Sequence, residues 1–192
     1  MSKLDDMLAK LVNLNDVEYR VTRSEVESEL RLWRRAPEKR RLLEGLNPRN
    51  LYSRVAPEAE RDIVSSHRRL VYAVYAVEPG LGRLLVRRAG HRYAQHVLGD
   101  IDDVEEARFV LARRGFGILD FRGCRHGVCT FRVYECMTCS GVSAEGETLC
   151  EWEAGVIEYL ASKLLGRSVV ARETKCWSLG YTFCEFRVLP RG

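Results

Sequence analysis

The sequence predicts an α+β protein in which helices pack on an antiparallel sheet. Helical periodicity prevails up to residue 115, and from Phe116 apolar and polar residues alternate with a period of two. Alternating segments over 116–136 and 168–189 flank one helical segment. Each pair of strands is joined by a short turn, which favours antiparallel pairing. The order after residue 79, helix, helix, strand, strand, helix, strand, strand, is typical of the α+β class.

Mostly helical segments are predicted for the first 60 residues. One apolar stripe covers 4–12, and Ser24 with Glu27 forms a capping box for a helix that ends before Pro37. A short strand over 17–21 and a short helix over 38–45 complete this part. Turn residues then mark a boundary near residue 60: Asn47, Pro48 and Pro57. We predict a helical N-terminal extension over 1–60, which would suit a dimerisation or partner arm, and a domain over 61–192.

The elements of the predicted domain follow from the same signals. The segment 69–77 fits either a strand or a helix end, and Asp100 or Asp102 is expected to cap one of the later helices. Thr148 and Glu151 predict a capping box for the last helix, which Gly166 ends. The predicted helices are 80–98, 103–114 and 149–165. The predicted strands are 116–122, 128–136, 168–174 and 181–189.

Composition limits the class of protein. A chain of 192 residues with 46% hydrophobic residues can bury a core as one domain. The sequence has no run of 18 apolar residues, and its first residues do not resemble a secretory signal, so we expect a cytoplasmic protein. The net charge of +4 is spread evenly, which does not require nucleic acid. A locally basic stretch, Arg31–Arg41, fits a solvated helix face or a nucleic-acid contact.

All 7 cysteines lie after residue 123, and four side chains in this region could bind zinc. Cytosolic thiols stay reduced and more often bind metal than form disulfides. Cys150 begins a predicted helix, Glu173 and Cys176 end a predicted strand, and Cys184 lies on the next strand. Three thiolates and one carboxylate suit a tetrahedral zinc ion if the helix start packs over the strand turn. The alternative is that these are ordinary buried cysteines.

Cys136 and Cys139 form a second candidate. With Cys124 and Cys129 they could make a separate zinc knuckle, or alone a redox pair. Cys129 alternates with apolar residues and is more simply a core residue, and Cys124 lies in the predicted hairpin turn. Cys139 could be a nucleophile, but no base can be assigned to it. No phosphate loop, nucleophile elbow or paired-carboxylate motif appears.

The C-terminal part resembles the 4-vinyl reductase domain family. The resemblance covers about 116–189 and depends on Cys150, the segment Ala154–Leu160, the Glu173-Thr174-Lys175-Cys176-Trp177 run, Gly180 and Cys184-Glu185-Phe186. It implies a structural zinc held by Cys150, Glu173, Cys176 and Cys184. It further implies the α+β fold of nitric-oxide sensors and Golgi-transport subunits, homodimerisation, and a pocket for a small apolar or aromatic ligand, as in the phenol- and xylene-responsive activators.

Three functions remain open at this stage. The first is a zinc-stabilised cytosolic sensor or regulatory module that binds a small hydrophobic ligand, with aromatic residues as pocket walls: Phe131, Tyr134, Trp152, Trp177 and Phe186. The second is an enzyme or assembly factor in tetrapyrrole chemistry that uses Cys136 and Cys139. The third is a transcription regulator acting through the basic Arg31–Arg41 stretch.

Overall fold

The computed structural model describes residues 19–38, 58–142 and 145–191. Helices lead and a small sheet follows, so the predicted α+β class is confirmed. The helices are α1 (Arg23–Arg35), α2 (Glu58–Val77), α3 (Pro79–Val97), α4 (Val104–Arg113) and α5 (Glu151–Leu165). The strands are β1 (Ile118–Arg125), β2 (Val128–Tyr134), β3 (Val169–Lys175) and β4 (Cys184–Pro190), with a 3₁₀ turn over Trp177–Leu179.

The four strands form one antiparallel sheet in the order β1-β2-β4-β3. The C-terminal strand β4 therefore lies between β2 and β3, and it carries Phe186 opposite Phe131 of β2. Alternate residues of these strands are buried together, as the period of two predicted. This pairing brings the start of β4 next to the end of β2, where Cys184 lies opposite Val133.

Helix α5 covers the buried face of the sheet, and α3 packs directly on α5. The contact between the two helices is close because each contributes a glycine. A Cβ atom on Gly155 would lie 1.9 Å from the carbonyl oxygen of Arg87, and one on Gly90 would lie 2.2 Å from that of Trp152. Arg87 also bonds Glu151 and Glu158 of α5 across the same contact. The position of the α5 N-terminus is thereby tied to α3.

Helix α1 packs on the other side of the sheet. Trp33 stacks on Tyr134 with ring centroids 6.0 Å apart, and Arg34 pairs with the buried carboxylate of Asp120. The apolar face of α1 belongs to the same core as the sheet. Residues 19–36 are thus packed against the predicted 61–192 domain. A dimerisation or partner role for residues 1–60 stays a prediction.

Several predicted element boundaries are wrong by a few residues. The cap of α1 is Thr22 with Glu25, because Ser24 already lies inside the helix. The cap of α4 is Asp103. Helix α5 begins after Cys150, whose side chain makes no capping bond, so Thr148 and Glu151 form no capping box.

The remaining segment predictions have mixed outcomes. The ambiguous segment 69–77 is helical and belongs to α2, and β4 begins at 184 rather than 181. Residues 19–22 carry no strand. The helices predicted over 4–12 and 38–45 lie outside the described residues, apart from Glu38. Among the helices that are described, none is both long and apolar enough to cross a membrane.

Candidate metal centre

Five buried thiols meet where the α5 N-terminus packs over the ends of the strands. They are contributed by the loop after β2, the α5 N-cap, the turn after β3 and the first residue of β4, and we call them the thiol cluster: Cys136, Cys139, Cys150, Cys176 and Cys184. Cys136, Cys139, Cys176 and Cys184 are 0% exposed and Cys150 is 1% exposed. Five thiols in one dry site exceed what ordinary core packing requires, so the cluster is a candidate for metal binding.

The four ligands predicted from the sequence lie together. Their donor atoms are all within 4.8 Å of one another, and we call this set the Glu173 group: Cys150, Glu173, Cys176 and Cys184. The Sγ atom of Cys150 lies 3.7 Å from that of Cys176 and 3.5 Å from that of Cys184. A tetrahedral zinc ion with Zn–S bonds of about 2.3 Å needs Sγ–Sγ distances of roughly 3.8 Å. The spacing of these donors therefore suits such an ion.

A second set of four donors overlaps the first. The four-cysteine group contains Cys136, Cys139, Cys150 and Cys184, and its sulfur atoms also lie within 4.8 Å of one another. Cys136 is 3.6 Å from Cys150, and Cys139 is 3.1 Å from Cys184. The separate knuckle with Cys124 and Cys129 is wrong, because a disulfide joins those two residues across the β1–β2 hairpin.

Two carboxyl groups complete the surroundings of the cluster. Glu173 Oε2 accepts a hydrogen bond of 3.0 Å from the backbone N–H of Cys150, and Glu153 Oε1 accepts bonds from the Cys136 thiol and the Thr138 backbone. The other oxygens, Glu173 Oε1 and Glu153 Oε2, are buried with no hydrogen-bond partner among the described residues. An unpartnered carboxylate oxygen beside thiols is a fitting donor to a cation.

Burial and mutual contact shift the pKa values of these groups in opposite directions. Burial raises the pKa of the Cys150 and Cys184 thiols, and it raises the pKa of Glu153 and Glu173. Hydrogen bonds from neighbouring thiols lower the pKa of Cys176. The site therefore concentrates groups that are costly to ionise in a dry interior, and a bound cation would offset that cost.

Helices α1 and α2 hold the loop that carries Cys136 and Cys139. Tyr72 donates to the carbonyl oxygen of Thr138 at 2.6 Å, Arg68 donates to that of Met137, and His67 is bonded to the Thr138 hydroxyl. At the start of the loop, Glu135 has a φ of 53° and accepts a bond from the Trp33 indole of α1. These contacts fix a left-handed backbone that a glutamate rarely adopts, and they aim both thiols at the cluster.

The five aromatic residues predicted as pocket walls are placed in different surroundings. Phe131 and Phe186 face each other across β2 and β4, whereas Tyr134 contacts Trp33 and Phe183. Trp152 contacts His67 and Tyr93, and Trp177 lies in the turn after Cys176. All except Trp152 are nearly fully buried. Their role as walls of one ligand pocket stays a prediction.

One described cavity lies elsewhere. A groove of about 180 Å³ between α1 and α4 is lined by residues outside the thiol cluster: Arg23, Val26, Glu27, Glu105, Arg108 and Phe109. Its lining mixes charged and apolar side chains, and Arg108 pairs with both Glu27 and Glu105 there. The basic stretch predicted as a nucleic-acid contact is described only up to Arg35, and its Arg34 is engaged by Asp120.

His67 makes stability depend on pH. Desolvation by burial lowers its pKa from 6.5 to about 4, so the folded protein keeps this imidazole neutral down to acidic pH. The unfolded chain takes up the proton near pH 6.5, and the free energy of unfolding therefore falls as the pH decreases from 6.5 to 4. The His67 contribution to this loss reaches about 3 kcal/mol at pH 4. An NMR titration of the imidazole should give a pKa near 4.

A matched pair of variants isolates this contribution. His67→Gln removes the titrating group but keeps a polar side chain near Thr138, and we expect its unfolding free energy to fall less steeply over this pH range. His96→Gln, at an exposed position of α3, should follow the wild-type slope. Equal slopes for His67→Gln and the wild type would contradict the prediction.

Comparison with known proteins assigns the region that contains most of this centre. Residues 129–190 match the family model of the vinyl-4-reductase domain. This segment carries a vinyl-4-reductase domain. The resemblance to the 4-vinyl reductase family that the sequence predicted is thereby confirmed over these residues, which include all five thiols of the cluster and Glu173.

Two curated relatives share parts of this vinyl-4-reductase-domain protein. An uncharacterized protein of Methanocaldococcus jannaschii is 32% identical over 116 residues, which are 60% of this chain and 64% of that protein. The bacteriochlorophyll synthase 23 kDa chain of Cereibacter sphaeroides is 46% identical over 44 residues, 23% of this chain and 21% of that protein. The chain spans less than two thirds of the length of either relative.

Three solved structures are similar in fold. A vinyl-4-reductase family protein of M. jannaschii has a TM-score of 0.47 at 13% identity, with 71% of this chain and 98% of that chain covered. The phenol-responsive sensory domain of the activator PoxR, solved with phenol, has 0.45 at 16%, covering 64% and 73%. The trafficking protein particle complex subunit 3 of Naegleria fowleri, covalently bound to palmitic acid, has 0.48 at 14%, covering 69% and 95%.

Sequence reasoning missed two features of the site. The convergence of Cys136 and Cys139 with the predicted ligands depends on the loop after β2, whose conformation is fixed by contacts with α1 and α2. The buried carboxyl of Glu153 is the other. Its place two residues after the helix start suggested only a residue of the first helical turn, and the one available signal was its spacing of three from Cys150.

Proposed function

We propose that this vinyl-4-reductase-domain protein is a zinc-stabilised module that binds a small hydrophobic or aromatic ligand and acts as a sensor or regulator. The single observation that carries the zinc part is the convergence of the Glu173 group within 4.8 Å from a helix start, a strand, a turn and the next strand. Zinc is the fitting metal because three thiolates and one carboxylate form its usual tetrahedral set. Its structural role would be to fix the α5 N-terminus against the β3–β4 turn.

The ligand part is supported by the family match and by the supply of aromatic side chains around the metal centre. Trp177 lies one residue after Cys176, and Phe186 lies two residues after Cys184. Helix α2 contacts this region through Tyr72, and Tyr75 donates to the carbonyl oxygen of Leu149 at 3.0 Å. A ligand held near the cluster would therefore be sensed by α2, provided that it binds two arrangements of that helix with different affinity.

The ligand proposal is tested by thermal unfolding of the zinc-loaded protein with three probes: phenol, a medium-chain fatty acid and a tetrapyrrole. The tetrapyrrole is included because one relative is named as a bacteriochlorophyll synthase chain. A probe present at a hundredfold excess over its Kd stabilises the folded state by about 2.7 kcal/mol. For a chain of this size, that raises the melting temperature by roughly 5–10 °C.

A substitution separates pocket binding from surface binding. Trp177→Leu keeps an apolar side chain next to Cys176 but removes the indole, and it should reduce the shift produced by the active probe. Leu81→Ala, at an exposed position of α3, should leave the shift unchanged. If no probe raises the melting temperature while zinc remains bound, the ligand part of the proposal is wrong. Turnover of the tetrapyrrole, abolished by Cys139→Ser without unfolding, would instead favour an enzyme.

A further inference from the structure

Cys150 and Cys184 belong to both the Glu173 group and the four-cysteine group. We propose that the thiol cluster binds two metal ions, with Cys150 and Cys184 as bridging thiolates. One ion would be the zinc of the proposed function, on which this inference rests. The second would be a thiophilic divalent cation held by Cys136, Cys139 and the two bridging thiolates.

The distances in the four-cysteine group fit a second tetrahedral ion. Its sulfur atoms lie 3.6 Å apart for Cys136 and Cys150, 3.1 Å for Cys139 and Cys184, and 3.5 Å for the shared pair. Tetrahedral M–S bonds of about 2.3 Å require roughly 3.8 Å between sulfur atoms, so small adjustments of side-chain torsions suffice. The two groups then form two tetrahedra that share one edge.

The number of donors also favours two ions. One tetrahedral ion can take four ligands, yet five thiols and the Glu173 carboxylate lie within reach of one another. Cys136 and Cys139 cannot readily withdraw, because the loop that carries them is bonded to α2 through Arg68 and Tyr72. Their Sγ atoms stay in contact with sulfur atoms of the first ion's ligands whether or not a second ion is present.

Charge gives a consistent result. Five thiolates and one carboxylate carry six negative charges, and two divalent cations reduce these to a net charge of −2. A zinc ion bound by four thiolates has the same net charge of −2. The N-terminus of α5 directs its positive dipole end at the cluster, since Cys150 is the N-cap residue. Ligands rich in thiolate select soft or borderline metals such as Zn²⁺ and Cd²⁺.

A one-ion alternative exists and makes a different prediction. In it, Cys136 and Cys139 remain protonated and donate S–H···S hydrogen bonds to the thiolates of a single zinc ion in the Glu173 group. The loop after β2 would then support the zinc ligands without binding metal. Removing both thiols would weaken the zinc site but would leave the number of bound ions at one.

The decisive measurement is ¹¹³Cd NMR of the metal-free, reduced protein titrated with ¹¹³Cd²⁺. We expect two ions per chain and two resonances, one from an S₄ and one from an S₃O ligand set, and a ¹¹³Cd–¹¹³Cd scalar coupling transmitted through the shared sulfurs. In Cys136→Ala/Cys139→Ala, the S₄ resonance and the coupling should disappear, and one ion should remain. Cys124→Ala/Cys129→Ala, which removes the two thiols outside the cluster, should keep both resonances.

The outcomes separate this inference from the proposed function. Binding of one ion at saturation, or two uncoupled resonances that persist in Cys136→Ala/Cys139→Ala, would overturn the bridged pair and leave the zinc module intact. Failure to bind any ion would overturn both. If the double variant does not fold, Cys139→Ser is measured by native mass spectrometry, where a drop from two ions to one supports the inference and retention of two contradicts it.

Discussion

Cys184→Ala should remove all metal from the purified protein and lower its melting temperature by roughly 10 °C. The residue lies at the first position of β4 and belongs to both four-ligand groups, so its loss leaves neither group with four donors. A ligand that binds only the folded state at a thousandfold excess over its Kd contributes about 4 kcal/mol. For a chain of this length, such a loss corresponds to a fall of about 8–16 °C. Elemental analysis and thermal unfolding measure the two effects.

The chelator response distinguishes lost metal from lost packing. A chelator should lower the melting temperature of the wild type towards that of Cys184→Ala but should not change that of the variant. Cys124→Ala in reducing buffer is the matched control, because this exposed thiol lies outside the cluster and its variant should keep the metal. A Cys184→Ala protein that retains stoichiometric zinc would show that Cys184 is not a ligand.

The sequence predicts the ligands of the Glu173 group better than it predicts the number of thiols around them. Cys150, Glu173 and Cys176 each lie at the end of an element, and a resemblance confined to short motifs was enough to select them. The inclusion of Cys136 and Cys139 depends on Glu135, whose left-handed backbone is stabilised by a bond from Trp33, 102 residues away in the sequence. Local patterns carry no trace of such a contact.

The fold shows the same division between local and long-range information. Periodicity predicts the existence and type of the elements, including the antiparallel strand pairs, because burial of one face is encoded every second or every third to fourth residue. The insertion of β4 between β2 and β3 is decided by packing across the whole sheet. Cap positions shift by two residues at Thr22 because two neighbouring hydroxyl residues could each start the helix, and Glu25 pairs with the first.

Gly155→Ala should be the most damaging single-methyl change in the protein, with a loss of about 3 kcal/mol in unfolding free energy. The added Cβ atom would lie 1.9 Å from the carbonyl oxygen of Arg87 and 2.8 Å from the amide nitrogen of His91. Both neighbours are backbone atoms of α3, so no side-chain rotation relieves the clash and the helices must separate. Helix propensity alone would favour alanine by about 1 kcal/mol, which makes the expected sign diagnostic. Thermal unfolding should show a fall of roughly 6–12 °C.

The same substitution at a second glycine provides the control. Gly80 lies in the first turn of α3, where the nearest atom to an added Cβ is a flexible carboxylate oxygen of Glu78 at 4.0 Å. Gly80→Ala should therefore be neutral or slightly stabilising. If Gly155→Ala were as stable as Gly80→Ala, the close approach of α3 and α5 would be wrong. Because α5 begins at Cys150, separation of these helices should also weaken metal binding, so Gly155→Ala should release zinc to a chelator faster than the wild type does.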